Sequence, residues 1–399
     1  MKRLDCLDGL RGVLAVYVMV SHAAPFAALP GWLARPLSHG GAGVDVFFIL
    51  SGLVIVQSLE AFGHRPAPFL VARAARIFPV FLAVFVLAVA VQAVPTGFAR
   101  MPWIAADSPA RAIWAEGWPH AWPAHIVTHL TMTHGLLPDA ILPDAWVSVL
   151  GAAWSLSTEW QFYLLITLLG RRLTVRRLAA LFLALAALGV VWQAVAPDEW
   201  RFSRAFLPNK AQFFALGMAS AVLVREGAAG RRCYVTVLLC ALLLCWQAGR
   251  ADKLLPPLVW SLCLAAQLGV PALRPLAAVL RGRALLWLGA ISYCVYLVNE
   301  PVQKLLGAGL AAAAGGDPTR FTLAWLPAAI VLPIVVAWGL HVTIEAPALR
   351  RGRALARRLA CGMGTDSHGG RESRAPPIMA VHRPRPAADG AVSHPPSAI

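Results

Sequence analysis

Arg11 and His22 stand eleven residues apart in a largely apolar stretch. On a helix, eleven residues turn through about 1100°, so the two side chains share a face within about 20° and lie about 16 Å apart along the axis. An imidazole takes up or releases a proton near neutral pH, and a guanidinium holds anionic oxygens. Each residue also has a plainer reading alone: an arginine whose stem snorkels to a membrane surface, and a structural histidine with a hydrogen-bond partner. Two ionisable groups on one face of one apolar helix favour function.

Arg73 and Arg76 are three residues apart, a spacing that puts helical side chains on one face. Two guanidiniums so placed form a fork suited to a pyrophosphate; a charge pair closing a membrane span is the alternative. Glu159 lies in Trp154-Ser155-Leu156-Ser157-Thr158-Glu159-Trp160-Gln161-Phe162-Tyr163, near the middle of an expected span. A carboxyl at that depth must be protonated, paired or turned to a wet cavity. Asp45, in Gly43-Val44-Asp45-Val46-Phe47-Phe48, falls near one end of its span, where it either faces water or orients a histidine. Glu345, just before Ala346-Pro347, falls near the opposite surface, within reach of neighbouring arginines.

The segment 96–146 holds His120, His125, His129 and His134 among Trp103, Trp114, Trp118 and Trp122. His125 and His129 have a spacing that can chelate a metal, but no glutamate completes an H-E-x-x-H pattern, and no metal is expected. The tryptophans fit an interfacial belt better than a sugar platform. The seven cysteines (Cys6, Cys233, Cys240, Cys245, Cys263, Cys294 and Cys361) form no C-x-x-C pair. They read as small apolar fillers rather than a disulfide framework or zinc site.

Such groups need long apolar helices to carry them, and the composition supplies them. Of 399 residues, 59% are hydrophobic and 14% charged, with mean hydropathy +0.66. So few charges cannot cover a water-facing surface, so lipid must cover much of it. The net charge of +16 would point to nucleic acid in a soluble protein; here the arginines sit between apolar segments, and no nucleic-acid partner is expected. With about 20 apolar residues per crossing, the sequence predicts an all-α polytopic membrane protein of about ten transmembrane helices, at 10–29, 42–61, 76–95, 147–169, 178–196, 205–224, 233–249, 254–271, 284–307 and 322–346. The first of these is read as a retained helix, because Arg11 and His22 interrupt it and no clean cleavage site ends it. Alternating the connecting segments puts 20 basic residues on the side of the N-terminus and 10 on the other. By the positive-inside rule both termini are then cytoplasmic. Residues 1–358 are expected to form the transmembrane domain. Residues 359–399, rich in Pro, Gly, Ser, Ala and His, form a tail that cannot bury a core and is expected to be disordered.

Together these motifs resemble acyltransferase family 3, the membrane O-acyltransferases of bacterial surface polysaccharides, O-antigen and some antibiotics. The resemblance covers about residues 4–350. It rests on Leu7-Asp8-Gly9-Leu10-Arg11-Gly12, the Arg11–His22 spacing, Gly43-Val44-Asp45-Val46-Phe47-Phe48 running to Ser51-Gly52, and Arg73-x-x-Arg76. It continues through Trp154-Ser155-Leu156-Ser157 with Glu159, Gln161, Phe162 and Tyr163, then Ser292-Tyr293, Tyr296-Leu297 and Ile344-Glu345-x-Pro347. Each motif is weak alone; their order and placement are specific. Two positions depart: Trp160 stands where the family often has a second glutamate, and Asn299 where it often has a histidine.

The resemblance implies His22 as the catalytic histidine with Arg11 beside it, and Arg73 and Arg76 as the residues that hold the acyl-CoA phosphates. It places Asp45, Glu159 and Glu345 in or near the cavity. It also implies an acyl group, acetyl by default, passing from acyl-CoA to a carbohydrate hydroxyl in the inner membrane. The expected mechanism has neutral His22 deprotonating the acceptor, Asp45 or Glu345 on the other ring nitrogen, and Arg11 at the developing oxyanion. An acyl-enzyme on His22 is the variant. A proton-coupled secondary transporter is the rival class, since buried His, Glu and Asp also mark proton relays, but no inverted repeat is visible. A structural scaffold has no use for ionisable groups at such depth.

Overall fold

The structure is a computed structural model that describes residues 4–362 except 115, 116, 248 and 250. Among the described residues it is all-helical, with no strand. The α-helices are α1 (Asp5–Ala23), α2 (Gly31–Leu37), α3 (Gly40–Ala61), α4 (Pro66–Gln92), α5 (Pro109–Ile113), α6 (Trp122–Leu130), α7 (Trp154–Leu169) and α8 (Val175–Val195), followed by α9 (Ala211–Glu226), α10 (Arg231–Gln247), α11 (Leu255–Gln267), α12 (Arg274–Leu280), α13 (Arg283–Ala314), α14 (Pro318–Leu340) and α15 (Ala346–Gly362). Every expected span contains a helix. Among the described residues, however, seven helical runs are long and apolar enough to cross a bilayer, or eight if the pair Asp252–Gln267 and Pro271–Leu280, bent by 103°, is one span. The difference from ten has physical reasons. α7 and α11 have 16 and 13 residues, short of the roughly 20 that a crossing needs. The segments expected at 205–224 and 233–249 correspond to two helices, α9 and α10, which are counted as one 41-residue run. That run doubles back at Gly227, whose φ is +58°, and brings Gln212 Nε2 to 4.0 Å from Cys245 Sγ.

The centre of the bundle is α1 against α13, and glycines set their separation. A Cβ on Gly12 would fall 2.5 Å from the Leu285 carbonyl oxygen, and one on Gly289 would fall 2.0 Å from that of Asp8. With no side chain between the backbones, Arg11 and His22 on α1 reach Ser292 and Asn299 on α13. Close approach through small residues is a general device of helix packing in lipid. Gly52 and Gly217 do the same for α3 and α9. Replacing Gly289 by Val should therefore push α1 off α13 at a cost of at least about 1–3 kcal/mol. The expected result is a lower thermal midpoint in detergent and lost activity; a wild-type midpoint would contradict this packing.

The 96–146 segment is a folded cap. Trp114 is fully buried, its ring 3.6 Å from that of Phe26 and close to Trp325. Trp103 donates to the Phe26 carbonyl. Trp118 and Trp122 are exposed and lie against each other. The four tryptophans thus divide between a core and a surface pair. At the other end α15 carries Arg350, Arg351, Arg353, Arg357 and Arg358 along α4. The expected tail begins inside α15, and from residue 363 on it lies outside the described residues.

Candidate active site

At the basic end of the bundle an open cavity is lined by arginines from three helices: Arg11 on α1, Arg73 and Arg76 on α4, and Arg353 on α15. Glu159 on α7 joins them, so of the three options for a mid-span carboxyl it takes the cavity. It accepts hydrogen bonds from Ser51 Oγ at 2.7 Å and from the Tyr163 hydroxyl. Aromatic and branched side chains, among them Phe47, Val54 and Ile77, form the remaining wall.

The two arginines of the fork are held differently. Arg73 lies over the rings of Phe69 and Tyr163, 5.7 Å from each centroid, and its Nε is buried without a hydrogen-bond partner. Arg76 faces Glu345 at 4.0 Å. The Glu345 carboxylate is buried and also accepts from His341 Nδ1 at 2.7 Å and Cys294 Sγ at 3.2 Å. A π-helical segment, His341–Glu345, sets this arrangement. Pro347 cannot donate to the Thr343 carbonyl and its ring crowds it, so the helix widens just before the proline. Cys294, His341 and Glu345 offer ligand atoms within 4.8 Å of one another, the group among the described residues closest to a metal site. Hydrogen bonds and the Arg76 charge satisfy all three.

His22 is not in the wall of the arginine cavity. Ser292, Tyr293 and Tyr296 line the α13 side of that cavity, and His22 sits one turn further along, against Asn299. Its Nδ1 is 2.8 Å from Asn299 Oδ1. The Asn299 amide nitrogen donates to the carbonyls of Val295 and Tyr296, at 3.1 and 2.5 Å. That fixes which end of the amide faces the ring: the oxygen, an acceptor. Nδ1 therefore carries the proton, and Nε2 keeps its lone pair. Nε2 makes no hydrogen bond among the described residues, and His22 is only partly buried. This is the tautomer a general base needs.

Neither expected carboxylate occupies the other ring nitrogen. Asp45 is fully buried between Lys210 Nζ at 2.6 Å and Lys253 Nζ at 2.7 Å. A carboxylate so desolvated needs a close cation, and this ion network holds α3 to the segments before α9 and α11. Glu345 serves Arg76, as above. Arg11 also departs from its expected role: its guanidinium meets Ser292 at 3.2 Å and Asp8 at 4.0 Å. Ser292 lies two turns before Asn299, about 10 Å by helical rise, so Arg11 serves the arginine cavity and not an oxyanion at His22. Asn299, Arg353 and Lys210 were not singled out as site residues. Asn299 was visible as a departure from the family pattern. Lys210 and Arg353 looked like topology charges, and only the fold separates them from their neighbours.

A second cleft opens at the opposite end, lined by Gln92, Trp118, Ser148, Glu300 and Lys304 among others. Glu300 accepts from the backbone N–H groups of Gly151 and Ala152 at 3.2 and 3.0 Å, and the Tyr296 hydroxyl lies 2.9 Å from the Ala152 carbonyl. The 151–154 turn is thereby pinned between cleft and cavity. Tyr296 faces one and Glu300 the other, one helical turn apart, and His22 and Asn299 lie at that depth.

Three of the four loop histidines, His125, His129 and His134, are buried. His129 Nδ1 donates to the His125 carbonyl, and its ring stacks on His134 at 4.1 Å. Burial lowers the His134 pKa to about 4 and pushes His129 well below its usual range. A histidine whose folded pKa is lowered stabilises the fold fully above its unfolded value, near 6.5; that stability is lost as pH falls toward the folded value. For His134 this is about 3 kcal/mol between pH 6.5 and 4. The thermal midpoint in detergent should fall across that range, with a shallower slope in His134→Phe; an unchanged slope would count against it.

A family model described as an acyltransferase domain matches residues 4–342. The acyltransferase MdmB of Streptomyces mycarofaciens is 28% identical over 394 residues, covering 87% of this chain and 92% of its own. Protein 2 in the picA locus of Rhizobium radiobacter is 35% identical over 99 residues, 23% of this chain and 45% of its own. No solved structure gives a significant match.

Proposed function

The chain belongs to acyltransferase family 3, and from that membership we propose that it moves an acyl group, acetyl by default, from acyl-CoA to a hydroxyl of a carbohydrate or cell-surface glycan, with His22 as general base. The observation that carries this reading is the Nδ1–Asn299 hydrogen bond, which leaves Nε2 with a lone pair; His22 lines neither opening but pairs with α13 between Tyr296, in the wall of one, and Glu300, in the wall of the other. The enzyme sits in the inner (cytoplasmic) membrane with both termini in the cytoplasm, so the arginine cavity opens where coenzyme A is made. Arg73, Arg76 and Arg11 hold the donor phosphates by charge-assisted hydrogen bonds. Glu345 fixes the aim of Arg76, and Asp45 supports the scaffold. The acceptor enters from the other cleft.

In the chemical step His22 Nε2 takes the proton from the acceptor hydroxyl as its oxygen attacks the thioester carbonyl. The tetrahedral intermediate then collapses: the C–S bond breaks, and the imidazolium returns its proton to the departing thiolate as CoA–SH. Asn299 holds the ring throughout.

The test is transfer of label from radiolabelled acetyl-CoA by the detergent-solubilised protein to glycans of its own membranes, where a transporter moves none. Arg73→Gln with Arg76→Gln removes two charge-assisted contacts of about 1.5–3 kcal/mol each. Acetyl-CoA binding should weaken by about 10²-fold or more; unchanged affinity would refute the phosphate role.

A further inference from the structure

We propose that Arg353 is a further phosphate-binding residue of the donor cavity, beside Arg11, Arg73 and Arg76, and that it reads the 3′-phosphate by which coenzyme A differs from its dephospho form. The proposal rests on the acyl-CoA reading above. Its first support is the way α15 meets α4. A Cβ on Gly352 would fall 2.2 Å from the Ala75 Cβ, so the two helices touch at this glycine. Arg65 Nη1 donates to the Ala360 carbonyl, so α15 runs antiparallel to α4. That register places the residue after Gly352 level with the fork, and Arg353 shares the cavity wall with Arg73 and Arg76.

The second support is charge. Four guanidiniums on one cavity repel one another, and Arg11 has Asp8 at 4.0 Å to offset it. Arg76 has Glu345 to offset it, but Arg73 and Arg353 pair with no carboxylate among the described residues. Arg73 Nε is also buried without a hydrogen bond. Such a cluster fits a ligand with several anionic groups.

The third support is the shape of the ligand class. A coenzyme A carries two adjacent phosphates in its diphosphate and a separate one on the ribose. Two arginines three residues apart on one helix match the adjacent pair. A third, from the neighbouring helix, matches the separate group, a phosphomonoester carrying about −1.5 to −2 charge at pH 7.

The experiment measures dissociation constants for coenzyme A and 3′-dephospho-coenzyme A on the full-length protein in detergent, as wild type, Arg353→Gln and Arg353→Lys. Wild type should prefer coenzyme A by about 10-fold or more, as loss of a charge-assisted contact implies. Arg353→Gln should bring the two ligands to equal affinity while leaving dephospho-coenzyme A binding unchanged. Arg353→Lys, which keeps the charge but loses the fork, should keep part of the preference. A preference that survives in Arg353→Gln, an equal loss for both ligands, or no preference in wild type would overturn the proposal. Failure of wild type to bind either ligand would instead remove the donor reading on which it stands.

Discussion

His22→Ala is expected to lower acyl transfer by about 10²–10⁴-fold, the usual contribution of a positioned general base, while acetyl-CoA binding stays within about twofold of wild type. The separation follows from where the groups lie. The arginine cavity is walled by Arg11, Arg73, Arg76 and Arg353, and His22 is not part of that wall. Deleting the imidazole should leave the donor bound but the acceptor hydroxyl protonated, and so a poor nucleophile. The ring makes one hydrogen bond, to Asn299, so its loss should not unfold α1 from α13, whose contact is set by Gly12 and Gly289. Transfer at the wild-type rate by a correctly inserted variant would refute the base role.

Asn299→Ala should cost about 10²-fold in kcat with the KM for acetyl-CoA unchanged. A base held in the wrong tautomer or orientation loses most of its value; losses of up to about 10⁴-fold are known for the acidic partner in a catalytic triad, and 10–100-fold is usual for an outer partner. Asn299 touches neither cavity, so a merely structural role would lower the yield of folded protein and leave kcat per folded molecule intact. Unchanged kcat in the folded variant would show that the amide does not orient the ring.

The general architecture was legible because lipid demands it. Apolar runs of about 20 residues can only be helices, and each expected span contains one. The count of ten exceeds seven or eight because hydropathy does not see that α7 and α11 stop at 16 and 13 residues; the break it places between 224 and 233 does fall where the chain turns at Gly227. The cost of burying a charge left Glu159 three options, protonation, a partner or a cavity, and in the fold it lines the arginine cavity. The same cost was met differently at Asp45, where two lysines distant in sequence supply the compensation. No spacing rule reveals partners 165 and 208 residues away. The face shared by Arg11 and His22 was real, but it hid a difference in partner: α13 gives Ser292 to one and Asn299 to the other. Arg353 was hidden among five arginines of α15 and emerges only from the Gly352–Ala75 contact.

The tautomer of His22 can be read directly. Protein labelled with ¹⁵N in its histidine rings, compared with the same protein carrying His22→Ala, isolates the two nitrogen resonances of this ring in detergent. The expected result is a neutral ring with the proton on Nδ1 and an Nε2 that bears none at neutral pH. A proton on Nε2, or on both nitrogens, would leave no lone pair facing the acceptor and would contradict it.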